Sequence, residues 1–257
     1  MKKFKIKGYT TYIVIIFVIL GVFFWYRRCE TFKNLENTIP KDIYMCYKTK
    51  NIPSKVIHNW KKLNPDYNIH LYDDNDCYMF LKDNYSKDYA DFFNEIPDGP
   101  IKSDFWRICI LYKKGGVYSD IDIKPLVPLK DFVENNIELL TVMSWMKKKN
   151  GPGITPELII SKPNNLFLKK CIDTFIKKRG TKYSYWGWSI CGIMYENIGT
   201  YLPTIKHKDG IYYDINNKKY QFLLEVYDKN YHKYHCVYKN KKILMNRYDD
   251  YINHKFI

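Results

Sequence analysis

The sequence predicts an α/β fold on an open, largely parallel sheet, set behind a single N-terminal transmembrane helix. Three observations carry this expectation. A strand-helix-strand order opens near residue 39, an N-terminal run from Gly8 to Tyr26 carries no charge, and a well-punctuated helix leads straight into a strand-like segment bearing two aspartates. At 257 residues the chain is long enough for one substantial core, so one globular domain plus an appendage is expected.

The appendage is "MKKFKIKGYTTYIVIIFVILGVFFWYRRCE". Its 19 uncharged residues, at a helical rise of about 1.5 Å each, match a hydrocarbon core of about 30 Å. Lys2, Lys3, Lys5 and Lys7 precede the run, and Trp25, Tyr26, Arg27 and Arg28 close it as interfacial anchors. A cleaved signal peptide would end in small residues, whereas this run ends in Phe23-Phe24-Trp25-Tyr26. The expected layout is a cytoplasmic stub and signal-anchor helix over 1–28, a polar stem over 29–38 and the globular domain over 39–257. That layout implies a single-pass type II membrane protein facing a Golgi- or ER-like lumen, or an equivalent host membrane.

The net charge of +15 does not imply nucleic acid, because the lysines are scattered along the whole chain rather than gathered in a patch. A basic surface of this kind still suits phosphate-bearing substrates. Seven cysteines form no CxxC pair and no Cys/His metal spacing, and Cys109 in "RICILY" and Cys191 in "SICGIM" read as small core residues. "NYS" at Asn84 is a formal glycosylation sequon.

Within the domain, Ile43 to Tyr47 reads as a buried strand. Val56, Ile57, Trp60 and Leu63 follow at helical spacing, and "YNIHLYDD" (67 to 74) is a second strand ending in acids. Ligands in such sheets sit at the carboxyl ends of strands, which marks Tyr47, Lys48 and Tyr72 to Asp74. "DGPIKSDFWRICILYKKGG" (98 to 116) is a helix with Pro100 in its first turn and Gly115-Gly116 as its stop. Ile101, Phe105, Ile108, Cys109 and Tyr112 form its buried stripe, with Asp104 and Arg107 together on an adjacent face. Further on, 157 to 164 reads as a strand and turn, 165 to 178 as an amphipathic helix, and the tail as alternating strands and turns. Trp186 and Trp188 are either core or platforms on which a sugar could stack.

In "GGVYSDIDIKP" (115 to 125) strand alternation places Tyr118, Asp120 and Asp122 on one face. Two carboxylates so close would repel or demand a cation, and a hard divalent ion such as Mn²⁺ or Mg²⁺ satisfies both through oxygen ligands and water.

"IPK" at 39, "NPDYNIHLYDD" at 64 and "KSDFWRICILYKKGGVYSDIDI" at 102 together resemble glycosyltransferase family 32, the DXD sugar-binding group that includes fungal α-1,6-mannosyltransferases and inositol phosphoceramide mannosyltransferases. The resemblance runs from Ile39 to about Leu129. It implies a GT-A nucleotide-sugar-binding fold, a Mn²⁺- or Mg²⁺-dependent UDP- or GDP-sugar donor, a glycan, glycolipid or glycoprotein acceptor, and retention of configuration. By the same resemblance Asp120 and Asp122 match the DXD motif, with Asp122 the direct metal ligand and Asp120 contacting ribose, sugar or metal-bound water. Asp104 and Arg107 match the helix residues that hold the donor sugar's hydroxyls, and Tyr47 and Lys48 fall near the nucleotide base. Members often place a His and a Trp in the first strand, where this chain has "IYMCYK". For the C-terminal metal or phosphate ligand, His232, His235, Asn246 and Arg247 all stand open.

The function expected is therefore transfer of a hexose from a nucleotide sugar. A two-metal phosphatase or nuclease would want further clustered acids or histidines. A membrane-tethered glycan-binding or scaffold protein with an inactive site is the alternative outside enzymes. Donor base, sugar, acceptor and linkage are set by loop contacts that local sequence does not specify.

Overall fold

The computed structural model describes residues 18–25, 27, 38–148, 151–229 and 233–246. The chain separates into two compact units, Met1–Thr38 and Ile39–Ile257.

The N-terminal unit corrects one expectation. Among the described residues no helix is long and apolar enough to cross a membrane. Residues 18–25 and 27 are helical. The rest of the uncharged run, 8–17 and 26, lies outside the described residues, as does the stem over 29–37. The expected transmembrane signal-anchor, membrane attachment and single-pass type II placement are corrected to that extent: among the described residues no membrane-spanning helix supports them.

The second unit begins with β1 (Asp42–Cys46), α1 (Ser54–Leu63) and β2 (Asn68–Tyr72). Val56 and Trp60, four apart, are the residues α1 buries. Asp73 ends β2 and caps α2 (Asp74–Asn84): its side chain accepts from the Asp76 N–H, while Asp76 accepts from the Asp73 N–H. α3 (Lys87–Glu95) follows, capped by Ser86.

α4 (Gly99–Lys114) is the central helix, with Pro100 in its first turn as expected. It is not the one-striped helix that the spacing predicted, because Asp104, Trp106, Arg107, Ile110 and Leu111 are buried along with Ile101, Phe105, Ile108 and Cys109. It stops at Gly115, whose φ of +67° only glycine adopts cheaply, and Gly116 follows at +98°. A Cβ on Gly116 would stand 2.8 Å from the Asp42 carbonyl oxygen, so the close approach of β3 (Gly116–Ser119) to β1 also requires glycine.

The remaining strands are β4 (Ile123–Pro125), β5 (Ile137–Lys148), β6 (Gly151–Ile154), β7 (Leu158–Ser161), β8 (Gly210–Tyr213), β9 (Lys219–Asp228), β10 (Lys233–Tyr238) and β11 (Lys241–Asn246). The helices among them are α5 (Leu166–Ile176), the single turn α6 (Tyr185–Trp188) and α7 (Ile190–Tyr201). All strands join one sheet in the order β2-β1-β3-β7-β5-β9-β10-β11-β4, with β6 added to β5 and β8 to β9.

Among the described residues only β1 with β2, β1 with β3 and β5 with β9 are parallel. The sheet is thus mixed rather than largely parallel. Parallel neighbours need long crossovers, which helices α1 to α4 provide for β1 to β3 and α5 to α7 for β5 and β9, whereas β9, β10 and β11 are linked tightly enough for antiparallel hairpins. Lys239 and Asn240, both at positive φ, make the two-residue turn between β10 and β11.

Both faces of the sheet are buried. Tyr44 packs toward the core of α2 to α5 and α7, while its neighbours Ile43 and Met45 pack toward α1. β3 and β4 are separated by three residues, yet β3 lies third in the strand order and β4 at the far end beside β11. Those three residues are Asp120, Ile121 and Asp122, which therefore bridge distant parts of the curled sheet.

Candidate active site

The aspartate pair does not lie on a strand. β3 ends at Ser119, and residues 120 to 123 form a turn closed by the Ile123 N–H donating to the Asp120 carbonyl at 3.2 Å. The strand-face reading of Tyr118, Asp120 and Asp122 is corrected accordingly. Aspartate is disfavoured in strand interiors and favoured in turns, and here the turn buries Ile121 while leaving both acids half-buried. The Asp120 N–H donates at 2.9 Å to the carbonyl of Glu157, just ahead of β7, which fixes the start of the turn.

Arg107 reaches this turn from α4 and organises it. Its Nη2 lies 3.0 Å from Asp104 Oδ1 and 3.1 Å from Asp120 Oδ1. Nη1 donates to the Pro156 carbonyl at 2.8 Å, Nη2 to Ser103 Oγ at 3.1 Å, and the guanidinium stacks 4.5 Å from the Tyr118 ring centroid. At 5% exposure this is a buried hub and not a surface ion pair. Tyr118 Oη donates to Asp120 Oδ1 at 2.7 Å and shares a 2.7 Å hydrogen bond with Ser103, so the Asp120 carboxyl is held from two sides.

These contacts set the protonation states. Burial opposes the Arg107 charge, but Asp120, Tyr118 and Asp104 together hold its pKa well above the ordinary value. For Asp104, burial outweighs the pull of Arg107 and of the Ile190 N–H, which donates to Oδ2 at 2.9 Å, and the carboxyl is pushed up to about 6. The helix α7 thus begins on Asp104, tying the hub to the aromatic segment at 185–201.

All six residues expected at the site, Tyr47, Lys48, Asp104, Arg107, Asp120 and Asp122, line one cavity of about 890 Å³. Tyr47 follows β1 and donates its N–H to the Tyr72 carbonyl at 3.0 Å, with Lys48 Nζ 5.8 Å from its ring centroid. Of the C-terminal candidates, Asn246 lines the cavity at the end of β11, opposite Ile123 in register. His235 falls outside it, because strand alternation sends it to the opposite face from Tyr234 and Cys236. His232 and Arg247 lie outside the described residues. Trp186 is 74% exposed and lines the cavity, whereas Trp188 is a core residue.

Glu157 and Glu225 escaped sequence reasoning. Asn246 Nδ2 donates to Glu157 Oε2 at 2.6 Å and to Glu225 Oε1 at 3.1 Å, and the Cys236 thiol donates to Glu157 Oε1 at 2.9 Å. Burial, then the Glu225 carboxyl, pushes Glu157 well above the usual carboxylate range, with Asp122 and Asp120 adding to the push. Among the described residues no group of three or more His, Cys, Asp and Glu side chains is placed to hold a metal ion. What the turn does offer is a pair of carboxylates at an open cavity. Mg²⁺ and ions like it commonly use one or two carboxylates and fill their other positions with water and substrate phosphate.

Residues 53–148 match the family model described as a glycosyltransferase sugar-binding region containing a DXD motif. The chain is thus similar over this region to DXD-type glycosyltransferases, fungal mannosyltransferases among them. It is 32% identical over 124 residues to an initiation-specific alpha-1,6-mannosyltransferase of Candida albicans, covering 45% of this chain and 31% of that protein. To a mannosyl phosphorylinositol ceramide synthase of Saccharomyces cerevisiae it is 30% identical over 144 residues, or 53% of this chain and 34% of that protein. The chain therefore spans about a third of the length of these relatives. Among solved structures, the PaToxG glycosyltransferase shares the fold with a TM-score of 0.51 at 18% identity, covering 64% of this chain and 70% of that one.

Proposed function

We propose that this domain is a metal-dependent glycosyltransferase that moves a hexose from a UDP- or GDP-sugar to a hydroxyl of a glycan, glycolipid or glycoprotein, with retention of configuration. The observation that carries the reading is the Arg107 hub, which holds Asp104 and Asp120 at the mouth of the cavity that Asp122 also lines. Ligand cavities commonly run from about 300 to 1,000 Å³, and a volume of about 890 Å³ gives room for a nucleotide sugar.

Asp122, with Asp120 beside it, would hold Mn²⁺ or Mg²⁺, and the bound ion supplies charge neutralisation at the departing diphosphate. The Asp120 carboxyl is already occupied by Tyr118 and Arg107, which suits an aimed acceptor for ribose or sugar hydroxyls more than a primary metal ligand. Arg107 and Asp104 orient the donor sugar from α4. Tyr47 and Lys48, at the carboxyl end of β1, take the side of the nucleotide base. No residue is assigned as a general base, since retention by internal return needs none.

The similarity to mannosyltransferases makes mannose the first donor sugar to test. The chain is incubated with a panel of UDP- and GDP-sugars and Mn²⁺, with and without EDTA, and free nucleotide is scored. Release from one donor that EDTA abolishes is the expected result. Release from no donor, by protein shown to be folded, overturns the reading in favour of a glycan-binding protein with an inactive site.

A further inference from the structure

One wall of the cavity has no part in donor binding as described above. The pairing of β5 with β6 shifts register between Met143 and Lys147, and such a bulge re-aims side chains. Trp145 sits in that bulge and is 44% exposed. Its ring packs 6.1 Å from Tyr227 on β9 and 6.1 Å from Tyr234 on β10, and those two rings are 4.9 Å apart. Three neighbouring strands thus brace one aromatic slab, and Trp145 and Tyr234 line the cavity.

A polar group is fixed at the foot of the slab. Glu225, 7% exposed and lining the same cavity, accepts at Oε2 from the Trp145 backbone N–H (3.2 Å) and the Ser144 hydroxyl (3.4 Å). At Oε1 it accepts from Asn246 Nδ2 at 3.1 Å. Every one of these partners is a donor, so Glu225 is oriented as an acceptor. Two further exposed rings, Tyr185 and Trp186, line the cavity from α6.

An apolar ring face beside an oriented carboxyl matches a pyranose, which has a C–H face to stack and hydroxyls to donate. A lipid chain matches poorly, because it would cover the carboxyl without pairing it. We propose that Trp145, braced by Tyr227 and Tyr234, is the stacking platform for the pyranose ring of the acceptor, with Glu225 accepting from a ring hydroxyl. The proposal rests on the glycosyltransferase reading of the same cavity and names its acceptor class.

The test uses the full chain as wild type, Trp145→Ala and the conservative Trp145→Phe, with methyl pyranosides of mannose, glucose and galactose as probes. Saturation-transfer NMR should show ring-proton contacts for one pyranoside in the wild type and in Trp145→Phe, lost in Trp145→Ala. In parallel, Trp145→Ala should keep metal-dependent nucleotide release to water while the KM for that pyranoside rises roughly tenfold, the scale of one stacked ring. Tyr234→Ser, which removes one of the two bracing rings and leaves Trp145, should weaken both readouts less, and it replaces Trp145→Ala should that variant not fold.

Unchanged NMR contacts and unchanged KM overturn the platform. Loss of release to water along with transfer overturns it too, because Trp145 would then serve the donor. Binding of phosphatidylcholine vesicles through Trp145 in place of any pyranoside overturns it in favour of a lipid. A wild type that releases no nucleotide defeats the glycosyltransferase reading alone, and the NMR contact still decides the platform.

Discussion

Replacing Arg107 by Met should destabilise the fold far more than loss of an ordinary ion pair. The guanidinium is 5% exposed and donates to or pairs with Asp104, Asp120, Ser103 and the Pro156 carbonyl. Met fills much of the volume and none of the hydrogen bonds, leaving the buried Asp104 carboxyl and the half-buried Asp120 carboxyl without their shared cation. Breaking a buried pair in this way costs about 3 to 5 kcal/mol, against about 0 to 1 kcal/mol for an exposed one. For a domain of this size each kcal/mol lowers Tm by about 2 to 4 °C, so a fall of roughly 6 to 20 °C is expected. Guanidinium chloride unfolding of both proteins at pH 7.5, extrapolated to water, measures the difference. Arg107→Lys should fall between them, since it keeps the charge without the planar fork. A loss for Arg107→Met of less than about 1 kcal/mol would refute the buried-hub account.

Two further predictions concern α4 and its stop. The Asp104 pKa is pushed up to about 6 in the folded state from an ordinary 3.8, so the native protein binds this proton more tightly than the unfolded chain. Its contribution is therefore fully present below the unfolded value and is lost as pH rises from about 4 through 6, on the order of 3 kcal/mol across the window. Asp104→Asn should flatten the stability profile between those limits, and denaturant midpoints at half-unit pH steps would show it; an unaltered slope would contradict the assignment. Gly116→Ala should cost about 1 to 3 kcal/mol, because φ is +98° and the new Cβ meets the Asp42 carbonyl at 2.8 Å. Thermal unfolding against Gly99→Ala, where a Cβ meets nothing within 4 Å, separates this from the general effect of adding a methyl group at a glycine.

Local signals carried much of the fold. The β1-α1-β2 order follows from the helical spacing of Val56 and Trp60 between two apolar runs. The limits of α4 follow from Pro100 and Gly115, and the C-terminal strands from their β-branched and aromatic content. Strand direction and order were not legible, because they depend on which crossovers are long enough for parallel pairing. The turn at 120–122 is a consequence of that topology: β4 leaves β3 to join β11, and only a bend between them allows it.

The site residues divide in the same way. Asp104, Arg107, Asp120 and Asp122 lie within one segment whose spacing draws attention to them. Glu157, Glu225 and Asn246 come from three separate strands or strand ends and meet only once the sheet curls, so no window of sequence joins them. Arg107 was legible as a residue but not as a buried one, since the stretch 104–111 of its helix is buried on all faces. The uncharged run at 8–26 carries a strong hydropathy signal, yet among the described residues no helix is long and apolar enough to cross a membrane.

The central claim is that the 120–122 turn presents Asp122 for a metal bound to a nucleoside diphosphate. The most direct test is calorimetric titration of GDP and UDP into wild type and Asp122→Ala, each with Mn²⁺ and with EDTA. Binding of one nucleotide that needs Mn²⁺ in the wild type, and is abolished or made indifferent to Mn²⁺ in Asp122→Ala, is the predicted result. Equal affinity in Mn²⁺ and EDTA, unchanged by the substitution, would contradict the account.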